Sequence, residues 1–428
     1  MLDIKWFREN PKVVEDNLKK RGMDTDIVSK IKKMDENWRK KQFELNQLRK
    51  ERNELSKKIS KGDKFLVDKA KSLKEKMDTL EEEVPKLEEK LKALLMAQPN
   101  ILHKDVPKGK DDSENVPIRY WGTIKLAPET KLSEPIKTTK LKFTPKNHLD
   151  LLVPKYADIE RAAKISGSRF YYLKGKMVEL EFALTRFAFD FLKKQGFTIA
   201  EPPYMIRRKA MEGVTHFSDF EDVIYKLEDE DLYLIATAEH PLGAMHMDEV
   251  LEKSELPLKY AGISPSFRKE AGSHGRDTKG FFRVHRFNKV EQFVFSHPDD
   301  SWKIHEELIK NSEKLFQKLE VPYRIVNICT GDMGYVAAKK YDLEGWLSGQ
   351  QKFRELVSCS NCTDWQARRL NVRFKEKEGE KPKFVHTLNS TAIALQRTMI
   401  AVVENNQQED GTIKIPKALW PYLDFKEM

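Results

Sequence analysis

Phe267-Arg268-Lys269-Glu270-Ala271-Gly272-Ser273-His274-Gly275-Arg276-Asp277-Thr278-Lys279-Gly280, followed by Phe282-Arg283-Val284-His285-Arg286-Phe287-Asn288-Lys289-Val290-Glu291-Gln292-Phe293, decides how this chain is read. It reads as a strand, a glycine-loosened basic loop and a second strand. Side chains of an extended chain alternate with period two, so Arg283, His285, Phe287, Glu291, Phe293 and Phe295 share one face. At about 3.3 Å per residue, Phe287 and Glu291 stand about 13 Å apart on that face. An aromatic ring stacks a nucleobase, and a carboxylate at that distance holds an ammonium group. The spacing suits an amino acid joined to a nucleotide through one phosphate, with Arg268 on the first strand as the fork that grips the phosphate. The plain alternative is an ordinary hairpin with a charged loop.

The same string resembles motif 2 of the class II aminoacyl-tRNA synthetases, in its seryl-tRNA synthetase form. There an Arg, a Glu, a Gly-Arg-Asp loop, a Phe and a final Glu recur in this order; here they are Arg268, Glu270, Gly275-Arg276-Asp277, Phe287 and Glu291. The resemblance further implies that Lys269, Glu270 and the backbone at Val284 contact ATP.

At 428 residues the chain has room for two or three domains and a large core. A net charge of +10 favours a polyanionic partner, and the first 100 residues hold 26 Lys+Arg against 20 Asp+Glu, so most of the excess lies there. Three cysteines, with Cys359 and Cys362 as one CxxC and Cys329 apart, fit a reducing compartment rather than a disulfide framework. A structural zinc wants four ligands, and the histidines show no matching spacing, so the CxxC is read as packing. Met1-Leu-Asp-Ile-Lys-Trp-Phe lacks an apolar signal core and no apolar run approaches 18 residues. The expectation is a cytoplasmic protein with no membrane segment.

From Ile31 the positions 31, 34, 38, 41, 45, 48, 52, 55 and 59, and after Ser60-Lys61-Gly62-Asp63 the positions 66, 70, 73, 77, 80, 84, 87, 91 and 94, step by three and four. The second series is apolar throughout. Two heptad helices joined by a short turn fold back as an antiparallel coiled coil, each about 45–50 Å long, with a bend expected at Pro85. Residues 30–64 carry 13 Lys+Arg against 6 Asp+Glu, and Arg49, Lys50, Arg52, Lys57, Lys58, Lys61 and Lys64 crowd the far half. Helix 27–60 is therefore the element that faces RNA phosphates, with Arg49, Arg52, Lys57 and Lys58 as candidate tRNA contacts. A spacer or dimer strut is the alternative for such a rod. Trp6-Phe7-Arg8-Glu9-Asn10-Pro11 opens a short helix ahead of it.

The coil ends at Gln98-Pro99-Asn100, and a polar, turn-rich stretch to about Leu132 reads as a linker. Val178–Lys194 is an amphipathic helix ending before Gly196, and Glu201-Pro202-Pro203-Tyr204 starts an extended segment; together they resemble motif 1, which implies a homodimer interface. After the strand-like Asp231–Ala236, Thr237-Ala238-Glu239 matches the family's serine-binding loop. Phe353–Arg369 resembles the strand that carries a Glu and a Ser toward ATP-bound Mg²⁺, here Glu355 and Ser358 with Leu356 and Val357 between them. Hard oxygen donors suit Mg²⁺. Period two puts Glu355 and Ser358 on opposite faces unless a bulge intervenes, so their joint role rests on the resemblance. Thr387–Asn405 reads as a strand end, a hydroxyl-capped turn and an apolar helix carrying Arg397 as its lone cation, where a snorkelling surface arginine is the alternative. It resembles motif 3, whose Arg holds the γ-phosphate and whose turn hydroxyl reaches the serine side chain, here Thr391. The Asn-Ser-Thr-Ala string departs from the bacterial Asn-Gly-Ser-Gly.

The implied fold is α+β. A six- or seven-stranded antiparallel sheet flanked by helices forms a class II catalytic domain over 106–428, with motif 1 at about 178–206, motif 2 at 258–296 and motif 3 at 387–406. An N-terminal tRNA-binding domain spans 1–105, with a long antiparallel coiled-coil arm at about 27–98. The implied activity is ligation of L-serine to serine tRNA through seryl-adenylate, with ATP and Mg²⁺, and selenocysteine tRNA stays open as a further acceptor. Arg268 and Arg397 would be catalytic, and Thr237, Ala238, Glu239, Glu291, Asn389 and Thr391 would bind serine. A paralogue charging a carrier protein would lack the arm, and a non-catalytic RNA-binding descendant would have lost Arg268, Glu291 or Arg397. A threonyl or prolyl enzyme would carry a further domain after motif 3.

Overall fold

The computed structural model describes residues 1–59, 67–217, 221–270 and 280–428, and these divide into two compact units, Met1–Ile101 and Leu102–Met428. The turn at 60–63, Lys61, Lys64 and Leu66, and the Gly275-Arg276-Asp277 loop lie outside the described residues.

In the first unit, Asp3 caps helix α1 (Ile4–Glu9) by accepting from Lys5 N at 2.9 Å, and Pro11 opens α2 (Pro11–Lys20). Two long helices follow, α3 (Asp26–Ile59, 34 residues) and α4 (Val67–Met96, 30 residues), about 51 and 45 Å long at 1.5 Å per residue. Trp38, Leu45, Leu48 and Leu55 of α3 pack against Leu73, Met77, Leu80 and Val84 of α4. The heptad seam is thus the one the spacing predicts. At the near end burial falls on Leu95 rather than Leu94, the direction in which a 3.6-residue period drifts ahead of a 3.5-residue repeat. Helical structure continues on both sides of Pro85. Asp35, at the root of α3, is buried and accepts from Arg8 Nε at 2.8 Å and Arg39 Nε at 2.9 Å.

The second unit is built on an eight-stranded sheet. In chain order the strands are β1 (Val116–Trp121), β2 (Thr198–Ala200), β3 (Leu258–Phe267), β4 (Arg286–Ser296), β5 (Tyr323–Asn327), β6 (Lys339–Leu347), β7 (Lys352–Asn361) and β8 (His386–Ala394). Across the sheet they run β1-β5-β6-β7-β8-β4-β3-β2. Every neighbour pair is antiparallel except β2 with β3. Helices α5 (Lys176–Lys194), α8 (Ser301–Lys318) and α10 (Leu395–Asn406) pack on this sheet to make the main core. Three short helices, α6 (Arg208–Val214), α7 (Glu239–Ala244) and α9 (Trp365–Leu370), meet Phe293 and Phe295 in a second core. Val290 and Val294 of β4 belong to the first core and Phe293 and Phe295 to the second, so the two-residue period of the hairpin is real.

The structure corrects four expectations. The sheet has eight strands, because Val116–Trp121, read as linker, pairs with β5; Pro117 is tolerated there because β1 is an edge strand with a register shift at Pro117 and Arg119. The second strand of the hairpin begins at Arg286, not Phe282. Within Asp231–Ala236 only Tyr233–Leu234 is strand. Asn389-Ser390-Thr391 is not a capped turn but the middle of β8, which runs straight into α10 with no side-chain cap. A segment paired on both sides, by β7 and β4, has its backbone donors and acceptors taken by the sheet, and that outweighs the turn preference of Asn and Ser.

Candidate active site

The sheet displays a row of polar side chains along its middle. Glu291 of β4 lies opposite Thr391 of β8, both buried, and Lys289, one repeat earlier on the same face, is ion-paired with Glu291. Beside them the chain leaves Tyr233–Leu234, turns at Thr237 and enters α7 at Glu239. Thr237 Oγ1 accepts from Glu239 N at 3.1 Å and fixes that turn. Glu239 Oε1 accepts from Asn389 Nδ2 and from Gln366 Nε2, each at 3.0 Å. Burial, and then the charge of Glu291, push the Glu239 carboxyl up to about 7, against Lys289, Gln366 and Arg268. His240 next to it is driven the other way, to about 3, by burial and by the cations Arg268 and Lys289, so it is neutral at physiological pH. These groups line a cavity of about 400 Å³ whose far wall is Met333–Ala337, with Tyr335 stacked on His216 at 4.1 Å.

Arg268 opens this cavity into a second cleft, because it lines both. It is half-buried rather than fully exposed. Its Nε lies 3.4 Å from Ala236 O and its guanidinium 5.3 Å from the Phe287 ring. Burial lowers its pKa, Glu270 opposes that and Arg397 adds to it, so the charge is held where an anion would relieve it. The cleft beyond is lined by Phe287, Glu270, Phe282, Val284 and Arg397. Glu270 is held by Arg283 Nη1 at 2.7 Å. Arg397 is no snorkelling arginine. It lies 4.6 Å over the Phe282 ring, donates to Glu355 O at 2.9 Å and pairs with the Glu355 carboxylate at 3.3 Å.

Glu355 and Ser358 both line the main cavity. The reason is a bulge. The β6–β7 register passes from Leu343↔Val357 to Glu344↔Glu355, leaving Leu356 unpaired, and this extra residue swings Glu355 and Ser358 to one side. Burial would raise the Glu355 carboxyl, but Arg397, Lys340 and Arg268 outweigh it and the pKa is lowered, so the group is anionic at neutral pH. Two hard oxygen donors on one wall, beside the Arg397 guanidinium, have the chemistry that suits a magnesium ion.

Other candidates lie elsewhere. The side chains of Leu356 and Val357 are in the main core, and Ala238 packs in the second core, so none of the three lines the cavity. Lys269 is exposed and turns toward the Tyr225 ring, 5.9 Å away. On the arm, Arg49 is tied to Glu81 at 2.8 Å, while Arg52, Lys57 and Lys58 are exposed. The cavity also recruits Lys340, His240, Cys362, Tyr335 and, through Glu239, the buried Gln366. No short motif marks these. They come from three stretches, 240, 335–340 and 362–366; His240 follows Glu239, Cys362 and Gln366 lie inside the Phe353–Arg369 string, and nothing in the sequence marks Tyr335 or Lys340.

Residues 1–102 match the family described as the seryl-tRNA synthetase N-terminal domain, and residues 224–406 the class II tRNA synthetase core domain of the G, H, P, S and T enzymes. A serine–tRNA ligase of Thermococcus onnurineus is 56% identical over all of this chain and 97% of its own length. The chain belongs to the seryl-tRNA synthetases. The crystal structure of the seryl-tRNA synthetase from Pyrococcus horikoshii, complexed with ATP, superposes with a TM-score of 0.96 at 55% identity, covering 100% of this chain and 99% of that one. The cytoplasmic enzyme from Naegleria fowleri, in complex with AMP, gives 0.88 at 37% identity, covering 100% and 98%. As a seryl-tRNA synthetase, this chain is an ATP-dependent ligase that forms seryl-adenylate and passes serine to tRNA. Its class II sheet and paired N-terminal helices are those of the family.

Proposed function

We propose that serine occupies the acidic end of the cavity and ATP the aromatic cleft, with Arg268 at the junction. Glu239 and Glu291 receive the ammonium group, and Thr237, Asn389 and Thr391 surround the amino acid. Phe287 stacks the adenine with Glu270 and the Val284 backbone at its edge. One observation carries this reading: Arg268 alone among the candidate cations lines both spaces, so it meets the phosphorus that the serine carboxylate must reach. A serine carboxylate oxygen attacks the α-phosphorus, the bond to the bridging oxygen of the β-phosphate breaks, and pyrophosphate leaves. The terminal ribose hydroxyl of the tRNA then attacks the seryl carbonyl and AMP departs. Catalysis here is positioning and charge neutralisation by Arg268 and Arg397. A magnesium ion held by Glu355 and Ser358 would supply further charge neutralisation on the phosphates.

The long basic arm of the first unit supports binding of tRNA phosphates, and the enzyme works in the cytoplasm. No described helix is long and apolar enough to cross a membrane. A homodimer through motif 1 is supported by the exposed Phe182 on α5, 70% accessible, and by an apolar groove lined by Pro202, Pro203, Leu242 and Met245 beside the edge strand β2.

Arg268→Ala tests the site. Because the residue touches both spaces, serine-dependent pyrophosphate exchange is expected to fall by more than about a hundredfold with the fold intact. Exchange within about tenfold of the unaltered enzyme sinks the assignment.

A further inference from the structure

Gln366 is buried completely in a helix that contributes no residue to the cavity lining, yet two of its three bonds go to Glu239 and Val214, which line it. Its Nε2 donates to Glu239 Oε1 at 3.0 Å and to Val214 O at 2.8 Å, and its Oε1 accepts from Thr387 Oγ1 at 2.6 Å. Helix α9, which carries it, is itself pinned. Arg369 Nη1 donates to Glu212 O at 2.6 Å and Thr215 O at 3.1 Å, so α9 is stitched to the end of α6 on both sides of Val214. The amide cannot turn over without losing both bonds donated by Nε2, because the Glu239 carboxylate and Val214 O only accept, and its orientation is therefore fixed.

That orientation decides how Glu239 meets a ligand. Oε1 of Glu239 is occupied by two amide donors, Gln366 and Asn389, and Oε2 has no hydrogen bond among the described residues. The donors are neutral. A lysine or arginine in place of Gln366 would hold the carboxylate equally well but cancel the charge that attracts an ammonium group. We propose that Gln366 is a positioning residue for amino-acid recognition: by holding Oε1 of Glu239 from behind with an uncharged donor, it presents Oε2 as an anion to the ammonium group of the bound serine. This rests on the reading that Glu239 contacts serine.

Gln366→Met keeps length and apolar volume but removes the donor. The KM for serine in pyrophosphate exchange is expected to rise by about tenfold to a hundredfold, as for a lost bond to a charged group, with KM for ATP and kcat within about threefold. The acid limb of kcat/KM for serine should also move to higher pH, since an anion that has lost a donor is harder to form. Thr387→Val, which frees the amide without emptying the site, is the gentler variant should Gln366→Met fail to fold, and a rise of about threefold to tenfold in serine KM is expected there. In the Glu239→Gln background the further effect of Gln366→Met should vanish, because the two act as one unit. A serine KM within twofold of normal in both variants overturns the proposal, as does an equal loss in ATP KM. An unchanged serine KM in Glu239→Gln alone would instead defeat the assignment of Glu239 on which the proposal stands.

Discussion

Glu239 carries the sharpest consequence at the scale of single residues. Its carboxyl is pushed up to about 7 by burial and by Glu291, so near neutrality the ligand-free enzyme holds it in two protonation states. An ammonium ligand favours the anion. The sign follows: above 7 the site is ready, and below it each bound serine must first expel a proton. The kcat/KM for serine should fall about tenfold per pH unit on the acid side, while the KM for ATP stays level. A pH series of pyrophosphate exchange checks this, and Glu239→Gln should flatten the limb; an acid limb that survives in that variant assigns it to another group. Phe287 and Glu291 were legible as members of one strand, because the pattern of the hairpin is local. Gln366 lies inside the Phe353–Arg369 string, but its tie to Glu239 was not legible, since it is a bond to a residue 127 positions away.

Among elements, strand β7 shows where period two stops being a guide. Read as a plain strand, it separates Glu355 from Ser358; the unpaired Leu356 brings them together. Gly345 makes room for that residue, for a Cβ there would sit 2.2 Å from Leu356 Cδ1. Gly345→Ala should therefore cost about 1–3 kcal/mol in chemical denaturation and raise the KM for ATP more than that for serine. If ATP and serine are affected alike, Leu356 does not set the placement of Ser358. The bulge leaves no mark in composition, because any residue can be the extra one, and only the facing strand reveals it. Strand β8 misled for a similar reason. Asn389 and Ser390 favour turns locally, and pairing on both sides overrides them.

For the whole molecule, on the proposed reading, the two units divide the labour. Every residue placed near serine or ATP lies beyond residue 200, whereas the arm holds the basic helix. Replacing residues 30–97 by a short Gly/Ser loop should leave pyrophosphate exchange nearly intact and abolish charging of tRNA; undiminished charging would make the rod a spacer. Neutralising Arg49, Arg52, Lys57 and Lys58 together should reduce the salt dependence of tRNA binding by up to about four units of slope. Arg49, engaged by Glu81 across the coil, should contribute least. The arm was legible almost residue by residue, because a heptad repeat is local and long. The sheet order was not, since pairing such as β1 with β5 joins segments about 200 residues apart.

Strand β8 passes into helix α10 without a loop, so Thr391 and Arg397 belong to one stiff piece of backbone. On the proposed placement of serine and ATP, the gap between the amino-acid end and the nucleotide end is then a covalent length rather than an adjustable one. A nonhydrolysable mimic of the joined intermediate must match it, and a compound one atom too long meets a ruler with no hinge to absorb the excess.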